Sequence, residues 1–163
     1  MDELLGNIYS LFNSFYSSQL DLYLWGYECE SQSFVGTNVY NIVGLIAIVS
    51  ILLASIVYYF IINAASWNKL WKWGVYGLIW SLLNMLIATC VFALPALQNG
   101  DICEDLVYTG ETQVINNIDC WGFGIANLLF AFILFVLFSF ISKRFSINCT
   151  HTPWKSLFLT RNN

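Results

Sequence analysis

The sequence predicts an all-α integral membrane protein: a small polytopic bundle of four transmembrane helices, or three if the first helix is interfacial. Composition, charge placement and helix-length apolar runs each point there. The 163-residue chain is 58% hydrophobic and only 10% charged, with mean hydropathy +0.66, a balance that ordinary soluble domains do not reach. All six basic residues, Lys69, Lys72, Lys143, Arg144, Lys155 and Arg161, fall in two short stretches. About 20 apolar residues make one crossing, so 1–163 forms a single membrane domain with no room for a soluble one.

The first element, 4–25, is amphipathic. Leu4, Leu5, Ile8, Leu11, Phe12, Phe15 and Leu22 alternate with Asn7, Ser10, Ser14, Ser17 and Asp21, whose three- and four-residue steps place them on one helix face. An interfacial helix usually sets Lys or Arg against anionic headgroups, and this one has none. Its length at about 1.5 Å per residue also matches a hydrocarbon core of about 30 Å. A spanning first helix is therefore favoured, which puts the amino terminus in the cytoplasm. The alternative, a helix lying flat, leaves three crossings and an external amino terminus. The start, Met1-Asp2-Glu3, is acidic where a cleavable signal peptide is basic.

The next three elements are stronger. The run 39–62 is almost unbroken and carries no charge, so it reads as a transmembrane helix. The second run, 73–94, follows Trp67, Lys69, Trp71 and Lys72, the aromatic and basic mixture of a headgroup boundary, and Pro95 is expected to end it. The last, 121–141, leads straight into Lys143 and Arg144. Because cytoplasmic loops collect Lys and Arg, the four anchors Lys69, Lys72, Lys143 and Arg144 mark the inner face. The carboxyl-terminal tail, 142–163, is then cytoplasmic, and the 95–120 loop is external. The tail mixes Trp154, Leu157, Phe158 and Leu159 with Lys155 and Arg161, as expected of an anchor on the inner leaflet.

Cys29, Cys103 and Cys120 map to the outer side, where thiols can be oxidised. Cys103 and Cys120 bracket one loop, so a disulfide between them is expected, contributing about 3 kcal/mol. Glu28, Glu30, Asp101, Glu104, Asp105, Glu111 and Asp119 share that side with no basic residue, which makes its potential negative. The simplest reading is that acids remain where bases are kept away; a weak divalent site at Asp101, Glu104 and Asp105 is the alternative. The sequence has no Cys-x-x-Cys pair, and its single His151 has no neighbouring ligand, so neither a structural metal nor a cofactor is expected.

The three strong runs contain no charged residue, which argues against a pump, a proton-coupled transporter or an intramembrane protease. No nucleophile elbow or phosphate loop is present, so an enzyme is not expected. Asn84 and Asn127 each lie inside an apolar run, where an unpaired amide is costly. Interhelical hydrogen bonding is their expected role. The small pairs Gly77 with Ser81, Ser50 with Ala54 and Gly122 with Ala126 permit close helix approach.

The layout resembles the general plan of small tetraspan proteins such as the MARVEL type in segment lengths. The claudin-type tryptophan and cysteine arrangement is absent from Leu24-Trp25-Gly26-Tyr27-Glu28-Cys29, so no tetraspan function transfers. The leading functional expectation is a non-enzymatic membrane protein that works by assembly, as a homo-oligomer or as a subunit of a larger membrane complex. One alternative is an oligomeric, cation-preferring channel lined by Asn7, Ser10, Ser14, Ser17 and Asp21. Another is a membrane immunity protein. The bilayer is the expected surrounding, and a pI near 4.6 argues against nucleic acid.

Overall fold

A computed structural model describes residues 4–62, 64, 67, 69–103 and 115–146. Three helices in it are long and apolar enough to cross a membrane: Val39–Ile62, Leu70–Asn99 and Asn117–Phe145. The first comprises α3 (Val39–Ile56), capped by the Asn38 side chain, and a π-helical end, Val57–Ile62. The second joins α4 (Leu70–Ile87), a π segment, Ala88–Ala93, and α5 (Leu94–Asn99). The third is α6 (Asn117–Ser142) with a closing 3₁₀ turn, Lys143–Phe145.

The second span does not stop at Pro95 as expected. Pro95 falls in the first turn of α5, directly behind the π segment, a local widening of the kind that accommodates proline in membrane helices. The helix runs on to Asn99 and stops at Gly100, whose φ of 77° is left-handed and suits a residue without Cβ. The third span starts earlier than 121, because Asn116 and Asp119 form a reciprocal capping box.

The long helix expected over 4–25 is not continuous. It consists of α1 (Leu4–Tyr9), a 3₁₀ stretch (Ser10–Phe15) and α2 (Ser18–Leu24). Tyr16 and Ser17 between the last two are extended, and the Ser17 side chain accepts from Leu20 N. The physical reason lies in the polar residues expected to share one helix face. Ser10 donates to the Asn7 carbonyl, and Ser17 caps a new helix, so local side-chain bonds displace the α-helical ladder. The chain then folds back on itself: a Cβ on Gly6 would collide with the Trp25 indole.

The core is built around α6, which packs along both α3 and α4 while these two touch each other less. At one end Ser55 Oγ donates to Ser142 Oγ at 3.1 Å and Trp73 Nε1 donates to Ser139 Oγ at 3.0 Å. The same end holds Lys69, Lys72, Lys143 and Arg144; the Lys72 ammonium lies over the Trp67 and Trp71 rings and that of Lys143 over Phe140. At the opposite, acidic end lie Glu28, Glu30, Asp101 and Asp119, together with the folded-back segment 4–24. Among the described residues the charges are thus sorted by sign to the two ends.

Candidate functional site

A chain of buried polar side chains runs from the acidic end towards the middle of the bundle. Leu5 meets Gly44 of α3, and the Phe15 carbonyl fills the space a Cβ on Gly122 of α6 would take. The first segment is thereby pressed against both helices. Tyr9 is fully buried between Tyr40, Phe123 and Phe130, and its hydroxyl donates to Asn127 Oδ1. Asn127 Nδ2 donates to the Asn84 carbonyl at 2.8 Å, and Asn84 Oδ1 accepts from Ser50 Oγ at 3.0 Å. Asn84 and Asn127 therefore join α3, α4, α6 and the first segment in one network.

A second branch holds the expected pore residue Asp21. Its carboxylate accepts from the Tyr40 hydroxyl, Tyr40 meets the Tyr16 hydroxyl at 2.9 Å, and Tyr16 also donates to the Tyr9 carbonyl at 3.2 Å. Burial pushes the Asp21 carboxyl above its ordinary range, outweighing the opposing hydrogen bond from Tyr40. Burial likewise raises the Tyr16 phenol, to about 12, so it stays protonated at neutral pH.

The five polar residues of 4–25 do not form one face. Asn7 and Ser14 are exposed, Ser10 and Ser17 serve local caps and turns, and only Asp21 enters the buried network. The tyrosines that complete the network, Tyr9, Tyr16 and Tyr40, escaped the sequence reading. Their signal was available, since a buried Tyr hydroxyl needs a partner, but nothing local identifies which tyrosines are buried.

The cysteine pairing is also different. Cys29 bonds to Cys103, with Cα atoms 5.6 Å apart, across a sequence separation of 74. Cys120 is a free thiol, fully buried in the first turns of α6. Proximity in sequence favoured Cys103 with Cys120, but helix formation points Cys120 into the core and leaves Cys103 beside the 26–37 loop. This disulfide closes one side of an open crevice of about 580 Å³ lined by Tyr23, Tyr27, Glu28, Glu30 and Asp101, among others. Among the described residues no three metal-ligating side chains cluster. Glu104, Asp105 and Glu111, and the tail from 147 onward, lie outside the described residues.

Family models, curated proteins and solved structures offer no match to this chain.

Proposed function

We propose that this is a non-enzymatic, multi-pass membrane protein that works by assembly, with copies of itself or within a larger membrane complex, its basic end in the cytoplasm. The supporting observation is a lateral groove of about 400 Å³ along α4 and the π segment after it, bordered on α3 by Ser50 and lined also by Trp80, Leu83, Asn84, Ile87 and Val91, among others. It exists because α3 and α4 pack on α6 more than on each other. The polar groups at its floor are already bonded within the chain: Ser50 to Ala47 and Asn84, and Asn84 to Trp80. What the groove offers outward is an apolar, concave surface in the membrane-spanning zone, where packing and shape decide helix association.

The test is the mass of the particle in lipid nanodiscs. Assembly predicts a species larger than one chain, and Leu83→Trp, which fills the groove, should shift it towards the monomer. A wild-type protein that is monomeric at all lipid ratios, with no co-purifying subunit, would overturn the reading. The channel alternative gains nothing from the first segment, whose polar side chains are dispersed rather than aligned.

A further inference from the structure

Three contacts link Asp21 to the backbone of the first segment: Asp21 with Tyr40, Tyr40 with Tyr16, and Tyr16 with the Tyr9 carbonyl. Each needs one proton. When Asp21 is ionised only the two phenols supply protons, so one contact is left with lone pairs facing each other. When Asp21 is neutral the chain is complete in a single direction: Asp21 donates to Tyr40, Tyr40 to Tyr16, and Tyr16 to the Tyr9 carbonyl. The added proton comes from solvent and stays on Asp21, while the phenols keep their own protons and rotate. A donor deficit of this kind is costly in a buried place.

We propose that Asp21 is a proton-binding site that sets how tightly the first segment docks on α3 and α6, so that protonation closes the segment and ionisation loosens it. The surroundings fit. From α3 the group facing Asp21 is Tyr40, from its own segment it is Tyr16, and α6 contributes the apolar Phe123 ring against both tyrosines. The nearby Tyr23 faces Asp101 instead. The basic residues among the described ones, Lys69, Lys72, Lys143 and Arg144, sit at the other end of the bundle, so no cation there holds Asp21 ionised. The sign follows from the raised carboxyl of the docked state. Docking is strongest below the ordinary aspartate value of about 4 and weakens as pH rises through the docked-state value.

The experiment is hydrogen exchange of the full chain in nanodiscs from pH 4 to 8, corrected for intrinsic rates and read on the amides of 10–24 with those of α6 as reference. Expected is a loss of protection with rising pH in the wild type, about tenfold for each pH unit of upward shift. Asp21→Asn, whose amide donates as the neutral acid does, should hold high, pH-independent protection. Tyr16→Phe removes two contacts and one donor, leaving Tyr40 to donate to Asp21 without a deficit, and should flatten the profile. A wild-type profile that is already flat, or a pH dependence that persists in Asp21→Asn, would overturn the proposal. The wild-type profile decides even if a variant fails to fold.

Discussion

The Tyr9 hydroxyl donates to Asn127 Oδ1 across 118 positions of sequence, and this bond fastens the end of α1 to α6. Removing it with Tyr9→Phe strips the amide oxygen of its donor in an apolar setting. The expected loss is about 1–2 kcal/mol, read as a lower midpoint in detergent unfolding. Asn127→Leu, which also frees the Asn84 carbonyl, should lose more. Equal midpoints for wild type and Tyr9→Phe would show that the bond contributes nothing.

Gly122 and Gly74 form a matched pair of substitutions. A methyl at Gly122 meets the Phe15 carbonyl, whereas one at Gly74 meets nothing. Gly122→Ala is expected to lift the 10–16 stretch off α6 and speed its amide exchange. Gly74→Ala should leave exchange unchanged and add roughly 0.5–1 kcal/mol through helix preference. Identical exchange in both variants would contradict the close approach of the first segment.

Non-reducing peptide mapping should recover a Cys29–Cys103 cross-link, and alkylation should reach Cys120 only after unfolding. Closing a span of 74 residues is worth about 4 kcal/mol in the chain-entropy account, so Cys29→Ser should lower the unfolding midpoint and raise exchange around the crevice. Recovery of a Cys103–Cys120 peptide would return the pairing to the shorter loop.

The folded-back first segment makes a topological prediction. In a Cys90→Ser, Cys149→Ser background, single reporters Ser14→Cys and Glu30→Cys should react with an impermeant maleimide from the same side of the membrane. Lys69→Cys should react only from the other. An unreactive Ser14→Cys beside a Leu4→Cys that labels together with Lys69→Cys would restore a spanning first helix.

The long helices were legible because an uncharged apolar run of membrane length has one economical conformation, and 39–62 is helical over those same bounds in the structure. The sorting of Lys69, Lys72, Lys143 and Arg144 to one end was legible for the same reason. Asn84 and Asn127 stood out as amides in apolar runs, though their common partner could not be read, because register between helices is a tertiary property. What misled was local pattern taken as global. The period of Asn7, Ser10, Ser14, Ser17 and Asp21 is helical, but serines that cap and turn the backbone compete with the helix they decorate. Pro95 has the sequence mark of a terminator, yet the helix continues past it behind a π segment, and the cysteines pair by nearness in space rather than in the chain.

The position of α6 also orders the life of the protein before it is folded. The helix that α3, α4 and the first segment all lean on is made last. Tyr9 waits more than a hundred residues for Asn127, and although Leu5 meets Gly44 of α3 early, the Phe15 carbonyl has no seat until Gly122 is made. Until α6 exists, α3 and α4 lack the surface they share, and the amino-terminal segment has only its contacts to α3. A chain that stops short of Asn117 lacks its organising surface, so translation must reach the third span before the acidic end can close.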